Sequence, residues 1–373
     1  MQTAKNILYV GPYRQADGWG FAARDYLMSL LNTNHAVSAA PIYLNPSSIA
    51  DVVDKKILDA EKNRFDFYDL VIQQALPQCM VRIGQSKNIG MLFLENNKLF
   101  SDSINNLNSM DELWVTSNKE KSCLQRSGVS TTIRVVSHPL PTQDAIVAQD
   151  SAFRLGFGAP IDDEYKFYFI GEYIQRKNIK DIVAAFHLEF DTSEPVRLVI
   201  KTSIPGLNAA AAQEKIKYDF DILKQKLRIR NKFKDEIIIT DKLSQEHIFA
   251  IHNSCDCFVS MSYGEAFCRP AAEALCFGKY VILSEGIGAS EFIDKEDHSL
   301  VACQEQPVIV EDTTYVAGLD MYNGYETWSI PSILDLQKYM RKAYERRPTV
   351  NKDTYLTKFS YTNIGDTLCQ YIK

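Results

Sequence analysis

The chain has no surplus of basic residues: 41 lysines and arginines face 47 aspartates and glutamates among 373 positions, a formal charge of −6. Without a basic footprint to meet phosphates, general nucleic-acid binding is not expected. Long apolar runs are missing as well. Stretches such as Tyr280 to Leu283 fall far short of the ~20 residues that cross a bilayer. The N-terminus carries no signal-like apolar region, so the expected location is the cytoplasm, with no integral membrane segment. None of the eight cysteines forms a Cys-x-x-Cys pair. A structural zinc site and a disulfide framework are therefore disfavoured, and no metal is expected. What is present is an ordinary globular composition, 46% hydrophobic and 24% charged. The length suits two domains at roughly 100–200 residues each.

Short apolar runs alternate with helix-length segments. Asn6 to Val10 breaks at Gly11-Pro12, and a helical pattern resumes near Ala22 to Leu31 after a loop containing Gly18-Trp19-Gly20. Leu70 to Ile72, Ile89 to Leu94, Glu112 to Val115 and Ile133 to Val136 read as buried strands. After Pro139 and Pro141 the pattern lapses through Asp150, which marks a linker. It restarts with strands at Tyr165 to Ile170, Arg197 to Lys201, Glu236 to Thr240, Cys257 to Met261 and Tyr280 to Ser284, with a long helix over about Ala209 to Lys232. This alternation predicts an α/β protein of two Rossmann-like, doubly wound domains with parallel sheets. The domains are placed at 1–148 and 149–350, with 351–373 as a C-terminal helix packing back toward the first. An open parallel sheet takes its ligand beyond the carboxyl ends of its strands, at a switch point of the strand order. With two such sheets facing across a cleft, loops from both halves are expected to converge there.

The most informative segment runs from Gly264 to Ile282. It follows a predicted strand, crosses a loop and enters a helix whose first turn holds Pro270, a position where the missing N–H has no partner to lose. Amides around Phe267, Cys268 and Arg269, aided by the helix dipole and the Arg269 charge, suit an anionic or oxygen-rich ligand. Glu265 in the loop and Glu273, placed in the first helical turn, stand eight positions apart. A carboxylate accepts hydrogen bonds from two vicinal hydroxyls, which fits a sugar or a ribose. The plainer alternative makes Glu273 a complement to the helix N-terminus and Glu265 a solvated loop acid.

Two glutamates separated by seven residues, then a helix, a glycine and a strand, resemble the signature of family 4 retaining glycosyltransferases of the GT-B fold (glycosyl transferases group 1). The resemblance implies that Glu265 lies beside a donor sugar and that Glu273 binds the ribose hydroxyls of a sugar nucleotide. The family often has glycine where this chain has Ala266 and Cys268. Tyr168 to Ile179 resembles the strand and loop that clamp the pyrophosphate, with Lys177 matching the family's lysine. The family's usual arginine after the glycine is Glu172 here, and Arg176 stands in as a compensating cation. Two adjacent cations suit a diphosphate leaving group whose charge grows as the glycosidic bond breaks; the alternative is a solvated basic turn. Gly11 to Arg24, with Gly18 and Gly20, looks like the first glycine-bearing loop of the N-terminal domain, which in the family faces the donor phosphates. Met91 to Asn97, Asp111 to Ser117, Arg134 to Leu140 and Tyr322 to Pro331 resemble landmarks of a bacterial branch.

Glu95 ends a predicted apolar strand near where many members carry a histidine close to the acceptor. It reads either as a group orienting the acceptor or stabilising an oxocarbenium-like state, or as a strand-end acid paired with a base. His138 is read as structural, and Glu291 in the Gly286 to Glu291 loop as a helix cap or a sugar contact. Asp219 and Asp221 superficially form an Asp-x-Asp pair, but on a helix their side chains point about 200° apart and cannot share a cation. That helix's basic residues, including Arg228 and Arg230, read as a solvated face. The implied activity is transfer of a hexose-type sugar from a nucleotide diphosphate sugar, with retention, to an unspecified sugar, lipid or protein acceptor. The sugar nucleotide is a substrate, and no further cofactor is expected. Rival readings are a non-catalytic scaffold of the same fold that binds nucleotide sugar or a partner protein, and a sugar-nucleotide epimerase.

Overall fold

The computed structural model describes residues 3–44, 48–50, 52–99, 103–150, 164–227, 233–294, 298–310 and 326–372. The chain divides into two compact units, 1–143 with 356–373, and 144–355.

The first unit contains β1 (Asn6–Gly11), α1 (Gly18–Leu31), β2 (Ala36–Pro41), α2 (Lys55–Ala60), β3 (Leu70–Gln74), β4 (Lys87–Met91), α3 (Ile104–Asn108), β5 (Glu112–Val115), α4 (Asn118–Arg126) and β6 (Ile133–Val135). Its strands form one parallel sheet in the order β2-β1-β3-β4-β5-β6. β3 and β5 are buried along their whole length, as strands covered on both faces must be. Ile7, Tyr9, Ile72 and Trp114 pack with Tyr26 and Leu30 of α1 in one cluster. Leu113, Val115 and Leu124 belong to another.

The chain enters the second unit within α5 (Thr142–Asp150) and continues through β7 (Tyr165–Ile170), α6 (Ile179–Glu189), β8 (Val196–Lys201), α7 (Ala209–Leu227), β9 (Ile237–Ile239) and α8 (Gln245–Ser254). There follow β10 (Cys257–Ser260), α9 (Arg269–Cys276), β11 (Tyr280–Ser284), β12 (Ser299–Val301), the antiparallel pair β13 (Cys303–Pro307) and β14 (Thr327–Pro331), and α10 (Ile333–Arg346). After α11 (Lys352–Lys358), α12 (Tyr361–Tyr371) lies in the first unit, where Ile364 and Leu368 join the cluster around α1. The second sheet is parallel in the order β12-β11-β10-β7-β8-β9. The chain winds outward from β7 to β9, then returns to β10 on the other side, so the switch point lies between β7 and β10. Phe167, Phe169, Val183, Phe186, Ile216 and Met340 fill one face.

Two Rossmann-like sheets are present, and the differences from the sequence reading are local. β2, β12 and the β13–β14 pair escape detection because they are short or built of small and polar residues. Residues 142–150, read as linker, form α5: Ala and Gln favour helix, but no apolar stripe announces it. The expected end of α7 at Lys232, with Arg228 and Arg230, lies outside the described residues, as do Tyr322 to Tyr325. Among the described residues no helix is long and apolar enough to cross a membrane.

Candidate functional site

The two strands that flank the switch point, β7 and β10, pair in parallel, and the loops leaving them carry most of the predicted residues. After β7, Gly171 is set by packing, since a Cβ there would stand 2.7 Å from the Phe169 ring. A 3-10 turn over Gln175–Lys177 follows, and Asn178 closes it in the left-handed region at φ 51° before α6 begins. Asparagine is among the few non-glycine residues that enter this region readily.

The turn brings Arg176 and Lys177 against the loop after β10. Lys177 Nζ pairs with the Glu265 carboxylate, and Arg176 Nη1 lies 3.2 Å from Glu265 Oε1. Ser262 Oγ donates to the same oxygen at 3.1 Å. Arg176 Nη1 also donates to Gly264 O at 2.5 Å, and Tyr263 N donates to Arg176 O at 2.8 Å. These contacts tie the two loops into one unit. Burial opposes ionisation of Glu265, but Lys177 and Arg176 outweigh it and hold the carboxyl below its ordinary value. The two cations differ in access: the Arg176 side chain is 8% exposed and that of Lys177 18%.

Cys268 is the N-cap of α9, with φ 57° and ψ 68° and no side-chain cap. Left-handed backbone costs a residue with a Cβ about 1 kcal/mol or more, while glycine takes it freely. The chain thus keeps, with cysteine, a turn suited to the glycine common at this position in the family that it resembles. Burial pushes the thiol up to about 12, so it is neutral. Phe267 packs on Phe292 at 4.9 Å, and Gly288 N donates to Glu265 O at 2.8 Å, which brings the 286–291 loop to the same place. Glu291 ends a 3-10 turn there.

Glu273 stands in the second turn of α9, not the first, and has its own set of partners. Arg269 Nη1 lies 3.1 Å from Oε1, Gln245 Nε2 donates to Oε1 at 3.2 Å, and His252 Nε2 lies 3.5 Å from Oε2. Burial opposes its charge, yet Arg269 holds the carboxyl below its usual range. Lys177, Arg176 and Glu265 are thus brought together, whereas Glu273 pairs with Arg269. Sequence reasoning missed Ser262, Gln245, His252 and Tyr168. Of these only Ser262, just past the apolar run of β10, has a sequence signal; Tyr168 lies inside a strand, and Gln245 and His252 lie on α8.

In the first unit, Gly18-Trp19-Gly20 is not a loop but the opening turn of α1. Asp17 is its N-cap and accepts from Gly20 N at 3.0 Å, a signal readable in sequence as an aspartate at a helix start. Gly20 is required by packing, since a Cβ would stand 2.1 Å from Gln15 O, while Gly18 faces open space. Glu95 lies four residues beyond the end of β4 rather than at a strand terminus. His138 is buried, edge-on to Tyr26 at 5.4 Å.

The loop carrying Glu95 is pinned by a buried acid, Glu120. Its carboxylate accepts from Leu94 N at 2.8 Å, Thr116 N at 2.8 Å, Thr116 Oγ1 at 2.5 Å and Ser117 Oγ at 3.2 Å. Burial nevertheless pushes its carboxyl up to about 7 from an ordinary 4.5. The folded state therefore binds a proton that the unfolded chain has released, and this group's contribution to stability declines as pH rises from about 4.5 to 7. The expected result is that denaturant unfolding of Glu120→Gln gains on wild type across that window by up to about 3 kcal/mol. A pH-independent difference would contradict the assignment.

Asp219 accepts from Tyr173 Oη at 3.0 Å and lies 3.7 Å from Lys180, while Asp221 is exposed. Among the described residues no cluster of histidine, cysteine or acids could hold a metal ion.

Solved structures share this arrangement of elements. Sucrose-phosphate synthase from Thermosynechococcus elongatus superposes with a TM-score of 0.65 at 14% identity, over 99% of this chain and 98% of that one. The N-terminal domain of Candida albicans trehalose-6-phosphate phosphatase gives 0.65 at 12%, over 100% and 97%. Anabaena HepE, in complex with UDP and glucose, gives 0.59 at 12%, over 99% of each chain. The fold they share with this chain is the GT-B pair of Rossmann-like domains. Residues 157–312 match the family model of glycosyl transferases group 1. No curated protein matches the chain.

Proposed function

We propose that the chain transfers a hexose-type sugar from a nucleoside diphosphate sugar to an acceptor hydroxyl with retention of anomeric configuration. The observation that carries this reading is the ion cluster of Lys177, Arg176 and Glu265 at the carboxyl ends of β7 and β10. A carboxylate held ionised beside two cations has the charges that sugar transfer requires. When the anomeric C–O bond breaks, its electron pair passes to the diphosphate, whose growing charge Lys177 meets, with Arg176 supporting the loop behind it. Glu265 then faces the positive charge that builds on the sugar. Glu273 with Arg269 holds the ribose, the Phe267 to Arg269 backbone borders the sugar, and α1 with Gly18 and Gly20 serves the donor phosphates. Glu95, in the first unit, is assigned to the acceptor. The neighbour crystallised with UDP and glucose supports a uridine nucleotide as donor.

Glu172, in place of a cation after Gly171, favours the second reading, a scaffold that binds a sugar nucleotide without turning it over. Thermal-shift titration against uridine, guanosine and adenosine diphosphate sugars, followed by slow-hydrolysis assays of the sugars that bind, separates the two. The transferase reading expects both a stabilising shift and release of nucleoside diphosphate. Binding without release favours the scaffold, and no response to any donor overturns both.

A further inference from the structure

We propose that His252, itself oriented by Tyr168, is a positioning residue that fixes the plane of the Glu273 carboxylate for the vicinal hydroxyls of a nucleoside diphosphate. This rests on the reading of Glu273 as the ribose-binding acid. Tyr168 lies on β7, and its Oη is 2.8 Å from His252 Nδ1. The rings stand edge-on at 5.5 Å, and His252 stacks on Phe277 at 5.3 Å with an interplanar angle of 22°. His252 is fully buried. Its Nε2 makes no formed hydrogen bond and points at Glu273 Oε2 from 3.5 Å, a gap that a few tenths of an ångström of carboxylate movement closes.

The neighbours decide where the imidazole proton sits. Burial holds Tyr168 as a neutral phenol. It also keeps His252 below its ordinary value despite the nearby carboxylate. If Nδ1 carried the hydrogen of the neutral ring, the Nε2 lone pair would face a carboxylate oxygen. The favourable arrangement has Tyr168 donating to Nδ1 and His252 Nε2–H aimed at Oε2. Glu273 Oε1 is already engaged by Arg269 and Gln245. The terminal torsion of a glutamate is broad and sets no plane of its own, so the carboxylate's orientation is fixed by its donors. Donors on Oε1 alone leave rotation about that anchor, and His252 on Oε2 removes it.

The test is calorimetric titration of the purified full chain with uridine 5′-diphosphate and with its 2′,3′-dideoxy analogue. Guanosine and adenosine pairs are run alongside, and the tightest-binding pair is used. Wild type is expected to prefer the ribose form. His252→Phe, which keeps the ring stack and removes the N–H, should weaken the ribose nucleotide about tenfold and leave the dideoxy nucleotide unchanged, so that the preference collapses. His252→Gln, which retains an N–H donor, should recover part of it, and this less disruptive variant serves if His252→Phe does not fold. Equal weakening of both nucleotides means a merely structural role and overturns the proposal. Glu273→Gln separates the two levels: if that variant keeps the ribose preference, the ribose reading itself fails. If it loses the preference while His252→Phe keeps it, only the positioning role fails. Binding of none of the nucleotides overturns both.

Discussion

Replacing Lys177 with alanine is expected to lower turnover by roughly 10²- to 10³-fold, the loss typical of removing one preorganised charge from where charge develops in a transition state. The size of the effect follows from the inequality between the two cations. Arg176 is enclosed, with Nη1 bonded to Gly264 O, and its guanidinium serves the loop. Lys177 is the more exposed partner of Glu265, and a flexible ammonium on a four-carbon stem can leave one anion for another. Glu265 keeps Arg176 and Ser262 when the ammonium is removed, so the fold should survive with a melting temperature near that of wild type. Initial rates of nucleoside diphosphate release from the donor identified by thermal shift would measure the effect. A variant that turns over within threefold of wild type would remove Lys177 from the chemistry.

The members of the ion cluster are legible one by one in sequence, because each sits in a loop after a strand that announces itself by an apolar run, but their pairing with one another is not. The apolar runs Tyr165 to Ile170 and Tyr280 to Ser284 predict strands with the bounds the structure gives them, since a parallel strand buried on both faces has little freedom in composition. The partners of Glu273 were not legible. Gln245 and His252 lie on α8, and Tyr168 lies on β7 among core residues, so only the register of β7 beside β10 brings them together. Nothing in a run of residues states which face of a doubly buried strand meets which helix. Helix starts are also readable: Asp17 marks the opening of α1 five residues before the apolar pattern resumes at Ala22. The left-handed backbone at Cys268 was hidden because cysteine, unlike glycine, does not advertise it.

Glu265→Gln is expected to damage both stability and rate, and the two losses have different remedies. Glutamine keeps the volume and one acceptor but removes the negative charge that Arg176 and Lys177 share. Arg176 cannot shed its proton in response, so its buried charge is left opposite a neutral amide. Breaking one side of a buried pair costs about 3–5 kcal/mol, and the unit's thermal transition should fall by several degrees. Lys177, the more exposed of the two, loses less, because its ammonium can turn toward water. Turnover should fall more than about 100-fold, because a preorganised negative charge no longer faces the sugar as positive charge builds there. Pairing the change with Arg176→Met removes the buried cation as well. A buried ion pair replaced on both sides by groups of similar volume is often no less stable than the original, so the double variant should regain most of the lost melting temperature. Its activity should not return, since the carboxylate is still missing. Calorimetry and initial rates on the single and double variants therefore read the two roles separately. Recovery of turnover in the double variant would reduce Glu265 to a brace for Arg176, and a single variant that melts and turns over like wild type would leave the ion cluster without either role.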